Sequence, residues 1–317
     1  MTAIGTGREP FWRAVLAGRS GTRSLADSPA HRGFRSRVGA PVPEPTDEDC
    51  RIRAKEAALL DPLTRMALAA SALAIDDAGL SAVATGDRRN SYEIPEIDRT
   101  RFGVVLGTGI GGLSTVEASH ARHARGEKLR GAMRYALPML IPNAVPAQIA
   151  IKYRLGGECK VVGTACAAGT MAIGDAFRLI RDGELDAVLA GGADRLLSTN
   201  DGYAFMGFDL LSTMSSRNDD PERACRPFDR DRDGFVLGDG AAMLVLEQED
   251  HARARGARVW ARILGYGTTC DAHSMMQLEP SGDAIVRCME RAIRSAGIAT
   301  TDTVSYTHLR AHETERL

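Results

Sequence analysis

Residues 161–170 read VVGTACAAGT, and Cys166 stands there as a lone thiol among Gly, Thr and Ala. Val161 and Val162 read as the end of a buried strand, while residues 171–181 (MAIGDAFRLIR) carry apolar side chains at helical spacing. Cys166 is therefore predicted at a strand-to-helix turn. A helix N-terminus presents unpaired N–H groups and a partial positive charge, which stabilises a thiolate, the nucleophilic form of cysteine. The small neighbours Gly163, Ala165, Ala167, Ala168 and Gly169 leave space for a substrate carbonyl. The backbone N–H of Cys166 can donate to the oxyanion formed when that carbonyl is attacked. The same pattern suits a buried cysteine in a tight turn, and the local residues alone leave both readings open.

Two other motifs invite chemistry. Gly107, Gly109 and Gly112 form GxGxxG after the strand-like RFGVVL, as a dinucleotide-binding loop would. The second strand with its terminal acid does not follow, because residues 131–147 hold Pro138, Pro142 and Pro146 instead. Asp229, Asp231, Asp233 and Gly234 (DRDRDG) imitate the start of a calcium loop, but the twelfth position is Gly240 rather than a bidentate Glu. Structural aspartates in a turn are the preferred reading. The six cysteines, at 50, 159, 166, 225, 270 and 288, form no CxxC pair and no zinc-like group with histidine. Apart from Cys166, most are expected to be small buried hydrophobes.

The elements that must position Cys166 follow from periodicity. Helices are predicted over 9–17 and from Asp61-Pro62 onward, where Leu63, Met66, Ala67, Ala70 and Leu73 recur at helical spacing. Residues 84–100 are polar and read as a surface loop. Residues 101–106 read as a strand, GTGIGGL turns into a helix, and the three prolines break the next stretch. Residues 159–195 give strand, helix, strand. Residues 234–247 read as two strand segments around a glycine turn, 251–256 close a short helix, 259–265 (VWARILG) resemble a strand, and 283–296 form a helix. Strands alternating with helices predict an α/β protein with mainly parallel strands.

The bulk numbers restrict the function classes. The 317 residues are 44% hydrophobic and 26% charged with a formal net charge of -1, the profile of a globular protein with a sizeable core. Charges are mixed along the chain, and the basic lean of residues 8–36 reads as a solvated face, so neither nucleic acid nor an anionic membrane is expected as a partner. No run approaches the roughly 18 apolar residues of a membrane span. The start, MTAIGTGREPFW, lacks a signal-peptide pattern, which predicts a cytoplasmic location.

GTACAAG, followed by AIGDAFRLIRDGELDAVLAGGAD and then SSRNDDPERACRPFDRDRDGFVLGDGAAMLVLE, closely resembles the β-ketoacyl-[acyl-carrier-protein] synthases, elongating condensing enzymes of the thiolase-like superfamily. The resemblance runs from about residue 3 to about residue 303. It implies a duplicated fold of α-β-α-β-α layers, with residues 1–250 as the N-terminal half and 251–303 as the start of the C-terminal half. It also implies that Cys166 takes an acyl chain from an acyl carrier protein thioester. A malonyl unit on a second carrier then loses carbon dioxide, and the carbanion attacks the acyl-cysteine to give a 3-oxoacyl product. Ile110 matches a position that lines the acyl pocket in this family, Phe208 matches another pocket wall, and the neighbouring Met206 is a further candidate. No metal or organic cofactor is implied, and a homodimer in which strands of two subunits continue one sheet is implied for the full-length enzyme.

The match stops near the end of the chain. The family holds the malonyl thioester oxygen with two histidines, and neither is recognisable: after Val304 the chain reads VSYTHLRAHETERL, where His308 and His312 lack the glycine that follows the family's histidine. This tail, 304–317, resembles translated sequencing adapter, which suggests a native frame cut near Thr303. The family's opening strand would precede Met1. The expectation is a chain truncated in its C-terminal half and missing its first strand, poorly soluble and unable to condense as it stands. The alternatives are a type II polyketide ketosynthase and a non-catalytic chain-length-factor partner; Cys166 argues against the second, since that class has lost the nucleophile.

Overall fold

The computed structural model describes residues 1–303 apart from 32, 88–89, 129 and 198–201. The tail with His308 and His312 lies outside the described residues. The chain divides into two units, Met1–Arg258 and Val259–Leu317. In the first, the strands are β1 (Arg23–Ser24), β2 (Val38–Gly39), β3 (Val83–Ala84), β4 (Tyr92–Glu93), β5 (Phe102–Gly107), β6 (Cys159–Val162), β7 (Ala187–Asp194) and β8 (Gly240–Glu247). Its helices are α1 (Arg8–Leu16), α2 (Ala54–Ala57), α3 (Pro62–Asp77), α4 (Leu113–Ala124), α5 (Ala136–Leu140), α6 (Ala144–Tyr153), α7 (Ala168–Arg181), α8 (Tyr203–Leu210) and α9 (Glu249–Ala254).

The main sheet has the order β6-β5-β7-β8, with β6, β5 and β7 parallel and β8 antiparallel to β7. Successive side chains of a strand face opposite sides, and both sides are covered here. Phe102, Val104 and Leu106 of β5 and Leu189 of β7 pack with Leu63, Met66 and Ala67 of α3 and Ile149 of α6. Val105, Val188 and Ala190 face the other way and pack with Ala172 and Ala176 of α7. Asp61 starts α3 by accepting from the Leu63 N–H at 2.8 Å, with Pro62 at the first helical position. Pro138 and Pro146 fall at the third residues of α5 and α6, where a helix makes no use of the N–H, so they open two short helices. At the far edge, the Met1 ammonium donates to the Ala241 carbonyl at 2.6 Å and the Ala241 N–H donates to the Met1 carbonyl at 3.0 Å.

Several expectations are corrected. Val161 and Val162 do end a strand, and Val162 is buried against α7, but the strand as a whole is not buried: β6 pairs only with β5 among the described residues, and Cys159 and Lys160 are exposed on this edge. Residues 84–100 are not simply surface, since β3 and β4 form a hairpin and Ile94 and Ile97 reach the core. Only Cys50 of the six cysteines is buried, and burial pushes its thiol up to about 11. Cys159, Cys166, Cys225 and Cys270 are exposed on an edge strand or in loops, and Cys288 on α10 is half-buried, its Sγ donating to the Gly267 carbonyl at 3.3 Å. The stretch 234–247 gives single bridging residues, Phe235 and Gly238, before β8 rather than two strands.

The second unit holds the expected helix, α10 (Asp283–Ala296). Residues 259–265 form no ladder among the described residues; the segment instead runs along α10. A Cβ at Gly265 would lie 2.4 Å from the Ala292 carbonyl oxygen, and one at Gly267 would lie 2.2 Å from that of Cys288. Thr269 Oγ1 donates to the Ala284 carbonyl at 2.7 Å. A strand needs a pairing partner as well as β-branched residues, and none is supplied here. Val259, Trp260, Ile263, Leu264, Ile285 and Val286 remain exposed.

Candidate active site

β5 and β6 end level with one another, Gly107 pairing with Val162 on one side and with Gly192 on the other, and β7 runs two residues further to Asp194. Three loops leave from this carboxyl edge, the place where open α/β sheets hold their ligands. The first is the turn from Gly163 to Ala167, all of it exposed. A short 3-10 turn, Ala165–Ala167, carries Cys166 directly into α7. Ala165 has φ 48, a left-handed conformation that costs a residue with a Cβ roughly 1–2 kcal/mol. That strained residue immediately precedes the exposed Cys166. Its Sγ has no hydrogen-bond partner among the described residues and is exposed. No side chain caps α7, and the N–H groups of Ala167 and Ala168 already donate to the carbonyls of Thr164 and Ala165, so an anion at this end meets the Cys166 N–H and the positive end of the helix. The arrangement suits a thiolate and then the oxyanion of an attacked thioester.

The second loop, from Thr108 to Gly112, carries Ile110, which is 45% exposed. A Cβ on Gly107 would lie 2.2 Å from the Ala168 carbonyl carbon and 2.4 Å from the Gly169 nitrogen, so the glycine lets β5 touch the first turn of α7. What resembled a phosphate-binding fingerprint thus serves close packing against the helix that follows Cys166. Asp194, the last residue of β7, fixes the same loop: its Oδ1 accepts from the Gly109 N–H at 2.8 Å and from Thr108 Oγ1 at 3.0 Å. Burial raises the Asp194 carboxyl above its ordinary value, against the lowering effect of the bonds from Gly109 and Thr108. The Cys166 turn and the Ile110 loop therefore meet at one edge.

Met206 and Phe208 stand elsewhere, on α8, and both are half-buried. Phe208 packs against the cluster of Leu25, Leu197, Phe205 and Met214, and Leu197 lies two intervening residues beyond Asp194. Among the described residues neither shares a hydrogen bond or a core cluster with Cys166; their link to the edge runs through the end of β7. Sequence reasoning missed Asp194 and Ala165. The GGAD ending of a buried strand was a visible signal for the first, since a buried acid at a strand terminus needs donors nearby. Alanine carries no signal for a left-handed backbone. The DRDRDG aspartates act as turn residues: Asp233 accepts from Ser215 Oγ at 2.6 Å and from the Ser216 N–H at 2.9 Å, and Asp229 accepts from the Asp231 N–H at 2.7 Å.

Comparison with known proteins gives consistent matches. Residues 1–252 match the family profile described as beta-ketoacyl synthase, N-terminal domain, and residues 260–315 match beta-ketoacyl synthase, C-terminal domain. The 3-oxoacyl-[acyl-carrier-protein] synthase 2 of Vibrio cholerae is 36% identical over 99% of the chain and 71% of its own length. The crystal structure of a beta-ketoacyl synthase from Burkholderia phymatum STM815 superposes with a TM-score of 0.77 at 31% identity, covering 94% of the chain and 68% of that protein. A type II PKS acyl-carrier protein in complex with its ketosynthase bound to the hexaketide gives a TM-score of 0.78 at 27% identity, with 95% and 68% covered.

Proposed function

The chain belongs to the beta-ketoacyl synthase family, and from that premise we propose that it is an elongating 3-oxoacyl-[acyl-carrier-protein] synthase with Cys166 as its nucleophile. The observation that carries the reading is the exposed Cys166, directly after the strained Ala165 at the uncapped start of α7. In the first half-reaction the Cys166 thiolate attacks the thioester carbonyl of an acyl chain on acyl carrier protein. The new C–S bond forms, the old one breaks, and the carrier's thiolate leaves and takes up a proton. N–H groups at the elbow hold the oxyanion between these events. In the second, which the family carries out with two histidines not recognisable in this chain, a malonyl thioester loses carbon dioxide, and its carbanion attacks the acyl-Cys166 carbonyl and expels the cysteine thiolate. Ile110, Met206 and Phe208 line the acyl chain's path, where each buried methylene gains roughly 0.8 kcal/mol.

Residues 1–250 serve as the N-terminal half and 251–303 as the start of the C-terminal half; a division near this point is supported by the two units of the structure, which part at Arg258 and leave α9 in the first. No described helix is long and apolar enough to cross a membrane, and the cytoplasm is the compartment proposed. A homodimer through β6 is supported by its open edge. Glu158 and Val162 turn their carbonyls to β5, bonding Val104 and Thr108, so by strand alternation Cys159 and Val161 turn theirs outward. The likeness to a polyketide ketosynthase complex supports the second reading, a polyketide ketosynthase; malonyl-dependent extension of a saturated acyl chain, rather than of a polyketone, separates the two.

The test is to incubate the chain with hexanoyl-loaded acyl carrier protein and map adducts by mass spectrometry. One hexanoyl group on the Cys166 peptide, lost in Cys166→Ser, is the expected result. Label on other cysteines, or none, overturns the assignment.

A further inference from the structure

Glu117 is a carboxylate buried to 5% exposure on α4, and the mechanism above makes no use of it. Its Oε1 accepts from the Tyr203 N–H at 2.8 Å, at the first residue of α8. No side chain of α8's own N-cap, Gly202, serves that end. A carboxylate there satisfies an orphan donor and complements the positive end of the helix. The two helices so joined are the ones that carry the pocket candidates. α4 starts three residues after Ile110, and its first turn is itself fixed, because Thr115 donates through N–H and Oγ1 to Asp61 at 2.9 and 2.6 Å. Met206 and Phe208 follow Tyr203 on α8. At its other end α8 is tied to a different segment: Asp209 accepts from the N–H groups of Arg35 and Ser36 at 3.0 and 2.9 Å. The Glu117 bond is thus a direct link between the Ile110 side and the Phe208 side.

We propose that Glu117 is a positioning residue for acyl-chain selection, setting where Met206 and Phe208 stand relative to Ile110 by holding the first turn of α8. The inference rests on the reading of those three residues as pocket walls. It acts on long chains, which need both walls, and spares short chains and the thiol itself.

The experiment measures acylation of Cys166 by hexanoyl- and myristoyl-pantetheine, with iodoacetamide alkylation as a readout of the elbow that is indifferent to the pocket. In Glu117→Ala the myristoyl-to-hexanoyl rate ratio is expected to fall about tenfold, the equivalent of roughly two methylenes of lost burial, at unchanged alkylation. Glu117→Gln keeps a carbonyl oxygen that accepts from Tyr203 and restores the ratio to within about twofold. Glu117→Asp, with a shorter reach, shifts it in the same direction as alanine and carries the test should the alanine variant fail to fold. Asp209→Ala releases the far end of α8 from residues 35–36 while its first turn stays held, so the ratio shifts less than in Glu117→Ala. The proposal is overturned by an unchanged ratio in Glu117→Asp and Glu117→Ala, by losses that track alkylation, or by an equal shift in Asp209→Ala. A wild-type chain whose Cys166 accepts neither thioester overturns the underlying reading instead.

Discussion

Replacing Gly107 with alanine asks whether the GTG turn exists to let α7 approach the sheet. The new methyl carbon would stand 2.2 Å from the Ala168 carbonyl carbon, 2.3 Å from its oxygen and 2.4 Å from the Gly169 nitrogen. Unstrained carbon contacts begin at about 3.5 Å, so β5 and α7 must separate by more than about 1 Å, given an overlap with backbone rather than with a side chain that could rotate. Overpacking of this kind costs about 1–3 kcal/mol, and an immovable partner puts it at the upper end. For a unit of this size that lowers Tm by roughly 6–12 °C. The displaced element carries the nucleophile, and a shift of about 1 Å in a reacting group costs about 10²-fold in rate. Gly163→Ala, with nothing within 4 Å of its Cβ, is the matched control on the same edge. Scanning fluorimetry reads the first effect and hexanoyl transfer to Cys166 the second. The reasoning is refuted if Gly107→Ala melts and acylates like Gly163→Ala.

Other positions give independent checks. Ala165→Gly relieves about 1 kcal/mol of left-handed strain but adds a similar unfolded-state entropy cost, so urea unfolding should move by less than about 0.5 kcal/mol while Cys166 acylation slows; a large stabilisation would deny the strain. Burial pushes the Glu247 carboxyl up, yet Arg255 and His251 outweigh it and hold it below the usual 4.5. Its contribution is therefore present above that pH and lost as pH falls through the lowered value. Glu247→Gln should cost about 3 kcal/mol near neutrality and progressively less below pH 4.5; a penalty independent of pH in denaturant titrations would contradict the ion-pair account. Val161→Pro removes an outward N–H that only another strand can use, so the chain should fold as before while any dimer seen by light scattering is lost; a surviving dimer would place the interface elsewhere.

What the sequence disclosed, and what it hid, divides along a physical line. α10 begins and ends where its apolar spacing does, between Gly282 and Gly297, both in the left-handed region. β5 and β7 announce themselves as continuous apolar runs because both faces are covered. Local pattern holds no information on sheet order, so the edge position of β6 and the missing partner of residues 259–265 were invisible. Cys166 was legible as a turn nucleophile through its small neighbours and the helix after it. The Ala165 strain and the Asp194 anchor depend on groups brought together only by the fold.

The pairing of Met1 with Ala241 spans 240 residues, and this sets a timetable for the newborn chain. At about 5–20 residues per second, a ribosome needs roughly 12–50 s to deliver β8 after it has made the segment that β8 receives. During that interval Met1 lacks its strand partner, although Ile4 and Arg8 can already meet Arg19 and Asp77. β5, β6 and β7 emerge earlier and can assemble with α7, so the elbow that bears Cys166 can be built while both edges of its sheet still await neighbours. Chaperone demand in the cell is thus expected to peak between synthesis of β7 and closure of the β8 edge.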